Sequence, residues 1–322
     1  EKLNNQVAEL DVATSENSIQ ESIAQIYIQI LYAAESVRAN ENTLQVSIAQ
    51  RDRGQELLNA GSIAKSDFAQ LEAQVSTDRY QLVTAQATLQ DYKLQLKQLL
   101  ELDGENEMNI YLPALSDENV LSPLPAKRDV YVSALALRPE IEASKLNVNA
   151  SELGIDIAKS GYLPTVSLSA GIGTNHTSGS DFTFGEQVKN GWNNSIGLSV
   201  SVPIFNNRQT KSAVQKAKLQ YETSMLSLLD EQKALYKTIE GLWLDANSAQ
   251  QRYAAANEKL KSTQISYNLI SEQFNLGMKN TVELLTEKNN LLQAQQEQLQ
   301  AKYMAILNTQ LLKFYQGDKL AL

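Results

Sequence analysis

Apolar residues recur at spacings of three and four through most of this chain, and at a spacing of two in only two short stretches. Ile23, Ile26, Ile30, Ala33 and Val37 set the first rhythm, and Leu82, Ala85, Leu89, Tyr92, Leu96 and Leu99 repeat it. Such a stripe predicts amphipathic helix. Its seams are rich in Ala and other short residues, which suits helices packed closely side by side. The second rhythm appears in TVSLSAGIG (Thr165–Gly173), where Val166, Leu168, Ala170 and Ile172 alternate with Thr, Ser and Gly. It returns in SIGLSVSV (Ser195–Val202), where Ile196, Leu198, Val200 and Val202 share one face. Strict alternation over eight or nine residues predicts a pair of strands.

The chain breakers agree with this division. All six prolines lie between Pro113 and Pro203, and the flanks are poor in glycine and rich in Ala, Leu, Gln, Glu and Lys. Runs of this kind favour helix and lack loop punctuation. A helix from Lys2 to Ala60 would extend about 90 Å at roughly 1.5 Å per residue, the scale of a coiled coil or long helical hairpin. Gly61 in LLNAGSIAKSDF and Gly277 in QFNLGMKNTVEL sit where two such helices would reverse. Return helices are expected from Asp67 to about Leu102 and from Thr281 to about Tyr315, stopped by Gly104 and Gly317. Glycine just past a helix end tolerates the left-handed conformation that caps the last carbonyls.

An offset of 216 residues superposes these features. Gly61 falls on Gly277, Asp67 on Glu283, Ala85 on Ala301, Leu96 on Leu312, Ile23 on Ile239 and Tyr27 on Trp243. Two tandem repeats of a long antiparallel helical hairpin follow. The strands precede the second long helix, so their first-repeat counterparts would lie upstream of Glu1. By that offset the chain is expected to lack roughly 60–80 residues of a mature protein, the first-repeat β-hairpin among them. The expected segments are a first helical hairpin over 1–104, a linker with short helices over 105–159, a β-hairpin over 160–205, a second helical hairpin over 206–317 and a tail over 318–322.

Composition narrows the chemistry. With no cysteine and one histidine among 322 residues, structural zinc, thiol catalysis and disulfides are excluded. A net charge of -9 argues against a nucleic-acid surface. No apolar run is long enough for a transmembrane helix, and no basic-then-apolar leader follows Glu1. Ala170–Gly173 contains Gly-x-Gly, but His176 stands where a third glycine would be and no βαβ unit follows. His176 has no partner spacing for a triad or metal. No catalytic, cofactor or metal residues are assigned, and an enzyme is not expected. Tyr27 and Trp243 read as interhelix packing.

The strands pose the sharper question. A hairpin over a globular core, or an edge ribbon on the helices, would give the same alternation. Neither explains the long Gly/Ser/Asn/Asp-rich connector at 173–194. Transmembrane β-strands carry this pattern, apolar toward lipid and small or polar toward a wet lumen, with long outer loops. Phe182, Phe184, Trp192, Phe205 and Tyr162 could supply interfacial aromatics. Two strands cannot close a barrel and open edges are not tolerated in lipid, so a membrane reading needs other chains, the upstream hairpin, or both.

Taken together, the chain resembles the TolC-type outer-membrane efflux proteins. The residues that carry the resemblance are Gly161-Tyr162-Leu163-Pro164 ahead of the first strand and Val202-Pro203-Ile204-Phe205 after the second. Arg138-Pro139-Glu140-Ile141, the two tip glycines and Gly317 complete it, in an order that covers essentially the whole chain. The resemblance implies a mainly α protein that forms a homotrimer in the outer membrane of a Gram-negative bacterium. Each protomer would give four strands to one twelve-stranded β-barrel, continued by a helical tube into the periplasm. The tube would dock a periplasmic adaptor (membrane fusion) protein and an inner-membrane efflux pump, and would conduct passively. Thr165, Ser167, Ser169 and Gly171, with Ser195, Gly197, Ser199 and Ser201, would line the lumen. Val166, Leu168, Ile172, Ile196, Leu198 and Val200 would face lipid.

Matching the tip glycines places the family's periplasmic aperture on Phe274, Lys279 and Glu283, with a latch carboxylate on Asp67. Gly61, Ser62, Gly277 and Met278 become the tip turns that meet the adaptor. A Lys279–Asp67 pair between adjacent hairpins could hold a constriction shut, and a ring of three Glu283 would favour cations. The family's second aperture carboxylate maps onto Thr286, with Glu287 beside it, which departs from a double acidic ring. The same charges also fit an ordinary solvated helix surface, where an exposed pair contributes about 0–1 kcal/mol. Two non-enzyme functions remain: an outer-membrane export channel, and a soluble periplasmic coiled-coil scaffold or adaptor. The doubled helical hairpin and the Ser/Gly alternation on both strands favour the channel. With one β-hairpin per chain, the 322-residue piece alone is not expected to insert as an open pore.

Overall fold

The computed structural model describes residues 1–102, 110–111 and 120–320. In chain order the elements are α1 (Lys2–Asn59), α2 (Lys65–Leu99), α3 (Lys127–Leu137), α4 (Pro139–Ser160), β1 (Thr165–Gly173), α5 (Phe184–Asn190), β2 (Asn193–Ser201), α6 (Gln209–Asn275) and α7 (Thr281–Gln316). They divide into two compact units. One joins Glu1–Ala8 to Ala143–Asp230 and holds the β-hairpin; the other joins Glu9–Glu142 to Glu231–Leu322 and holds both helical tips.

The predicted duplication is present in backbone detail. Gly61 and Gly277 have φ of 74° and 72°. In the first tip the Gly61 amide donates to Leu58 O (2.9 Å) and the Ser62 amide to Leu57 O (2.8 Å). In the second, Gly277 donates to Phe274 O (2.9 Å) and Met278 to Gln273 O (2.8 Å). Each is a helix stop closed by a left-handed residue, with the orphan carbonyls satisfied in the same order.

Gly317 closes α7 the same way at φ 107°, its amide donating to Phe314 O and that of Asp318 to Lys313 O. The first return helix departs from expectation. It ends at Leu99, and its left-handed cap is Glu101 (φ 51°), whose amide donates to Gln98 O while Leu102 donates to Lys97 O. Gly104, expected as the stop, lies outside the described residues. Glu101 is the true partner of Gly317, since 317 − 216 = 101. A left-handed residue other than glycine costs about 1–2 kcal/mol, and glycine's greater freedom when unfolded returns about 0.5–1 kcal/mol of that. Glu101→Gly is therefore expected to stabilise the chain by up to about 1 kcal/mol, read as a raised midpoint in thermal unfolding. Gly317→Ala should instead destabilise, because φ of 107° strains any residue with a Cβ, and the added Cβ would also displace Leu137 Cδ1.

In the helical unit, Ala24, Ile28 and Leu31 of α1 pack with Ala249 and Tyr253 of α6 and with Ala301, Ala305 and Leu311 of α7. The α1 stripe is rotated from its expected course: Ile30 and Ala33 are buried, but Ile23, Ile26 and Val37 are half-buried. On α2 only Leu96 of the expected seam is fully buried. Tyr27 and Trp243, matched by the repeat, do more than pack. Tyr27 Oη donates to Tyr111 O (2.8 Å) and Trp243 Nε1 to Pro125 O (3.0 Å), so each repeat pins the linker through one aromatic.

A second cluster joins Val130 and Ala134 of α3, Ile141 of α4, Leu235, Ile239 and Ala246 of α6, and Leu312 and Tyr315 of α7. Arg138 and Pro139 separate α3 from α4. A residue before proline is pushed to extended backbone, as Arg138 is at ψ 125°, and proline suits the first helical position. The Arg138 guanidinium, 9% exposed, binds Glu140 Oε1 (2.8 Å) and Glu21 Oε1 (3.2 Å) and lies 4.3 Å from the Tyr315 ring centroid. Burial works against its charge, but the Glu140 hydrogen bond and the Glu21 carboxylate hold its pKa above the usual arginine value. Burial, then Glu21, pushes the Tyr315 hydroxyl up to about 12.

In the other unit, the Gly161-Tyr162-Leu163-Pro164 turn ends α4 with amide bonds back to Ala158, Lys159 and Ser160. Thr210, at the start of α6, donates to Gly161 O (3.3 Å) and accepts from Asn206 Nδ2, tying the two ends of the hairpin together. The second strand is Asn193–Ser201, two residues earlier at its start and one at its end than the alternation predicts. The connector is not all loop. It contains α5, capped where Thr183 Oγ1 accepts from the Glu186 amide and Glu186 accepts from the Thr183 amide.

Candidate functional site

Two regions carry the residues singled out from the sequence: the β-hairpin and the paired tips. In the hairpin, β1 and β2 are antiparallel, with Val166 opposite Val200, Leu168 opposite Leu198 and Ala170 opposite Ile196. The intervening pairs are Thr165–Ser201, Ser167–Ser199, Ser169–Gly197 and Gly171–Ser195. Residues opposite one another project to the same face. The register therefore gathers every expected lipid-side residue on one face and every expected lumen-side residue on the other. Ile172 continues the apolar row opposite Asn194.

Every residue of both strands is exposed, Ile196 at 84%. A lone two-stranded ribbon is marginal in water, and one with an open apolar row needs cover on that face. No described helix is long and apolar enough to cross a membrane.

At the tips, Asp67 and Glu283 occupy the third position of α2 and α7. Asp67 Oδ2 accepts from the Ala64 amide (3.3 Å), whereas Ala64 can return nothing from its side chain. Glu283 sits in a complete reciprocal cap: Asn280 Oδ1 accepts from the Glu283 amide (2.9 Å) and Glu283 Oε2 from the Asn280 amide (3.2 Å). Lys279 Nζ binds Glu283 Oε1 at 2.5 Å. These two interactions, Lys279 first, hold the Glu283 carboxyl below the usual carboxylate range. Within one chain Lys279 is thus paired with Glu283, not with Asp67.

Phe274, matched to the aperture from the sequence, is buried within the chain. At 1% exposure it is the centre of a tip core with Leu57 of α1, Leu71 of α2 and Leu284 of α7. Gln50 Nε2 donates to Tyr267 Oη (2.8 Å) and Arg53 NH2 to Asn275 O (3.0 Å), adding polar ties from α1 to α6. The outermost turns expose Gly61, Ser62, Leu276, Gly277 and Met278, with Met278 at 70%.

One further cluster lies in the same unit, at residues that no motif singles out. Lys288 of α7 binds Asp78 of α2, and both touch the Ser47 hydroxyl of α1. Gln74 Nε2 completes the site on Asp78 Oδ1 (2.9 Å). Lys288 is 4% exposed and Asp78 1%. Burial lowers the Lys288 pKa, opposed by Asp78. The available signal was a charged residue falling on an otherwise Ala/Leu-rich helical face. Among the described residues no group of three or more His, Cys, Asp or Glu side chains is placed to hold a metal ion.

Comparison with known proteins gives a consistent set of relatives. Residues 130–317 match the family described as outer membrane efflux protein. The chain is 24% identical over 294 residues to outer membrane efflux protein BepC of Brucella suis, covering 91% of this chain and 61% of that protein. It is 24% identical over 315 residues to outer membrane protein TolC of Escherichia coli, covering 94% and 62% respectively. The chain therefore spans about three-fifths of the length of these curated relatives. Among solved structures it is similar to the channel protein CusC (TM-score 0.83, 18% identity, 99% of this chain and 72% of that one). It is also similar to VceC of Vibrio cholerae (TM-score 0.78, 18% identity, 99% and 74%).

Proposed function

Since the chain belongs to the outer membrane efflux protein family, we propose that it is the greater part of a passive export conduit running from the periplasm across the outer membrane of a Gram-negative bacterium. The observation that carries this reading is the β-hairpin register, which separates an apolar row from a row of Ser, Thr and Gly with both faces uncovered. In a closed barrel the first row meets lipid and the second a wet lumen, and small side chains keep that lumen open. Three chains are the natural complement, each supplying this hairpin and a second one. The helical hairpins continue the tube into the periplasm. There the exposed tip turns at Gly61–Ser62 and Gly277–Met278 meet an adaptor protein, which links the tube to an inner-membrane pump. Transport energy comes from that partner, and no step of catalysis is assigned to this chain.

The tips close the conduit in this reading. Glu283 presents its carboxylate beside Lys279, so a threefold ring alternates charge instead of presenting bare acid. Lys279→Glu would place two like charges four residues apart on one turn and leave Glu283 without its cation. In planar bilayers the full-length protein is expected to give a small conductance that Lys279→Glu raises and makes more cation-preferring. Asp67→Lys tests whether the first tip faces that ring across a protomer boundary. A well-folded trimer that forms no pore would move the assignment to a periplasmic scaffold.

A further inference from the structure

Two hairpins that share one packed tip core cannot separate freely, and the polar cluster above that core decides what separation requires. Ser47 belongs to the outgoing helix of the first hairpin, Asp78 to its return helix, and Lys288 to the return helix of the second. The ion pair therefore crosses from one hairpin to the other. It lies eleven residues along from Gly277 and seventeen from Gly61, about three to five helical turns from the tips at 3.6 residues per turn. Asp78 accepts from three donors, Lys288, Ser47 and Gln74. Such a carboxylate is satisfied only while both hairpins are in place.

The cluster has no counterpart at the matching positions of the other repeat. At the 216-residue offset, Asp78 corresponds to Ala294, Ser47 to Thr263 and Lys288 to Glu72. The duplication therefore did not supply it twice, and Ala294 is fully buried as an ordinary packing residue. Lys288 further borders an open groove of about 440 Å³ lined by Ala39, Thr43, Val46, Gln264 and Tyr267. A flexible ammonium that loses Asp78 has a solvated place to swing into, whereas Asp78, 1% exposed, is held by Gln74 and Ser47. That asymmetry leaves room for a second arrangement beside the paired one, with the lysine parted into water.

We propose that Asp78, Ser47 and Lys288 form an internal lock between the two hairpins of one chain, and that its release is a step in opening the tips. The second half of the proposal rests on the channel reading above. The lock acts through helix position and touches no conducted solute, so these are positioning residues. Removing one charge leaves the other buried without its partner and drives the junction toward the parted arrangement. Replacing both by apolar residues of similar volume closes it again by packing.

The test uses the full-length protein with Lys65→Cys and Glu272→Cys, exposed positions on opposite hairpins in a chain without native cysteine. Spin labels there, diluted with unlabelled protein, report the distance between hairpins of one chain, and planar bilayers report conductance. Lys288→Met and Asp78→Asn should each lengthen and broaden the distance distribution and raise conductance several-fold. Ser47→Ala, which keeps the ion pair, should do so weakly, and serves if a charge variant fails to fold. Asp78→Leu with Lys288→Met should restore both readings. Unchanged distances in a conducting protein would overturn the lock and leave the channel standing. Longer distances at unchanged conductance would sink its part in opening. Should the native protein form no pore, the channel reading falls, and the distances alone still decide whether the lock holds the hairpins.

Discussion

Arg138→Met is expected to destabilise the helical unit by about 3–5 kcal/mol, the range for removing one member of a buried charge cluster. Arg138 is the cation bonded to both Glu21 and Glu140, whose carboxylate side chains are 22% and 19% exposed. Its removal leaves two negative groups facing each other with little access to water, and strips the cation from the Tyr315 ring. Arg138→Lys should recover only part of the loss, since an ammonium cannot span both carboxylates as the guanidinium fork does. Adding Glu21→Gln and Glu140→Gln to Arg138→Met should recover more, because the uncompensated charges go with the cation. Chemical unfolding of the three variants beside the native protein checks this ordering. A loss below about 1 kcal/mol for Arg138→Met would class the cluster with exposed pairs.

Phe274→Ala is the second large effect, expected at about 3–5 kcal/mol from lost burial and the cavity left behind. Four helices contribute to the core it centres, so the damage should not stay on α6. Hydrogen exchange should quicken around Leu57, Leu71 and Leu284 together. An aperture residue would behave oppositely: truncation would alter conductance with little effect on stability. Phe274→Leu, which keeps most of the buried volume, separates the two, with a loss under about 1.5 kcal/mol if packing is the role.

What was legible in the sequence was whatever repeats or alternates. The offset of 216 found the two tips, and their glycines differ by two degrees in φ. Alternation found both strands and sorted their faces correctly, because a period of two leaves no freedom once pairing is antiparallel. The failures share a cause. Glu101 takes a left-handed cap without being glycine, so nothing in its identity announced the helix end. Phe274 was placed by its neighbour Gly277, yet one turn of helix is enough to carry a side chain from surface to core. Asp78 and Lys288 give only a faint sign, a charge on an otherwise apolar helical face. Their burial depends on a contact 210 positions apart in the chain, which no local pattern encodes. Arg138 was visible in its motif, but its partner Glu21 was not, for the same reason.

The position of α7 has a consequence for how the protein is made. Nearly half of this helix is buried, and it contributes to every hydrophobic cluster of its unit. It is also synthesised after every other described element it packs against. The first hairpin must therefore wait, its Ile28–Leu31 seam open, until more than two hundred further residues have followed it. Pairings this distant in sequence form slowly, and apolar seams left open meanwhile invite aggregation. A chain cut short before α7 should therefore appear as a substrate for proteolysis, its first-hairpin seam left uncovered.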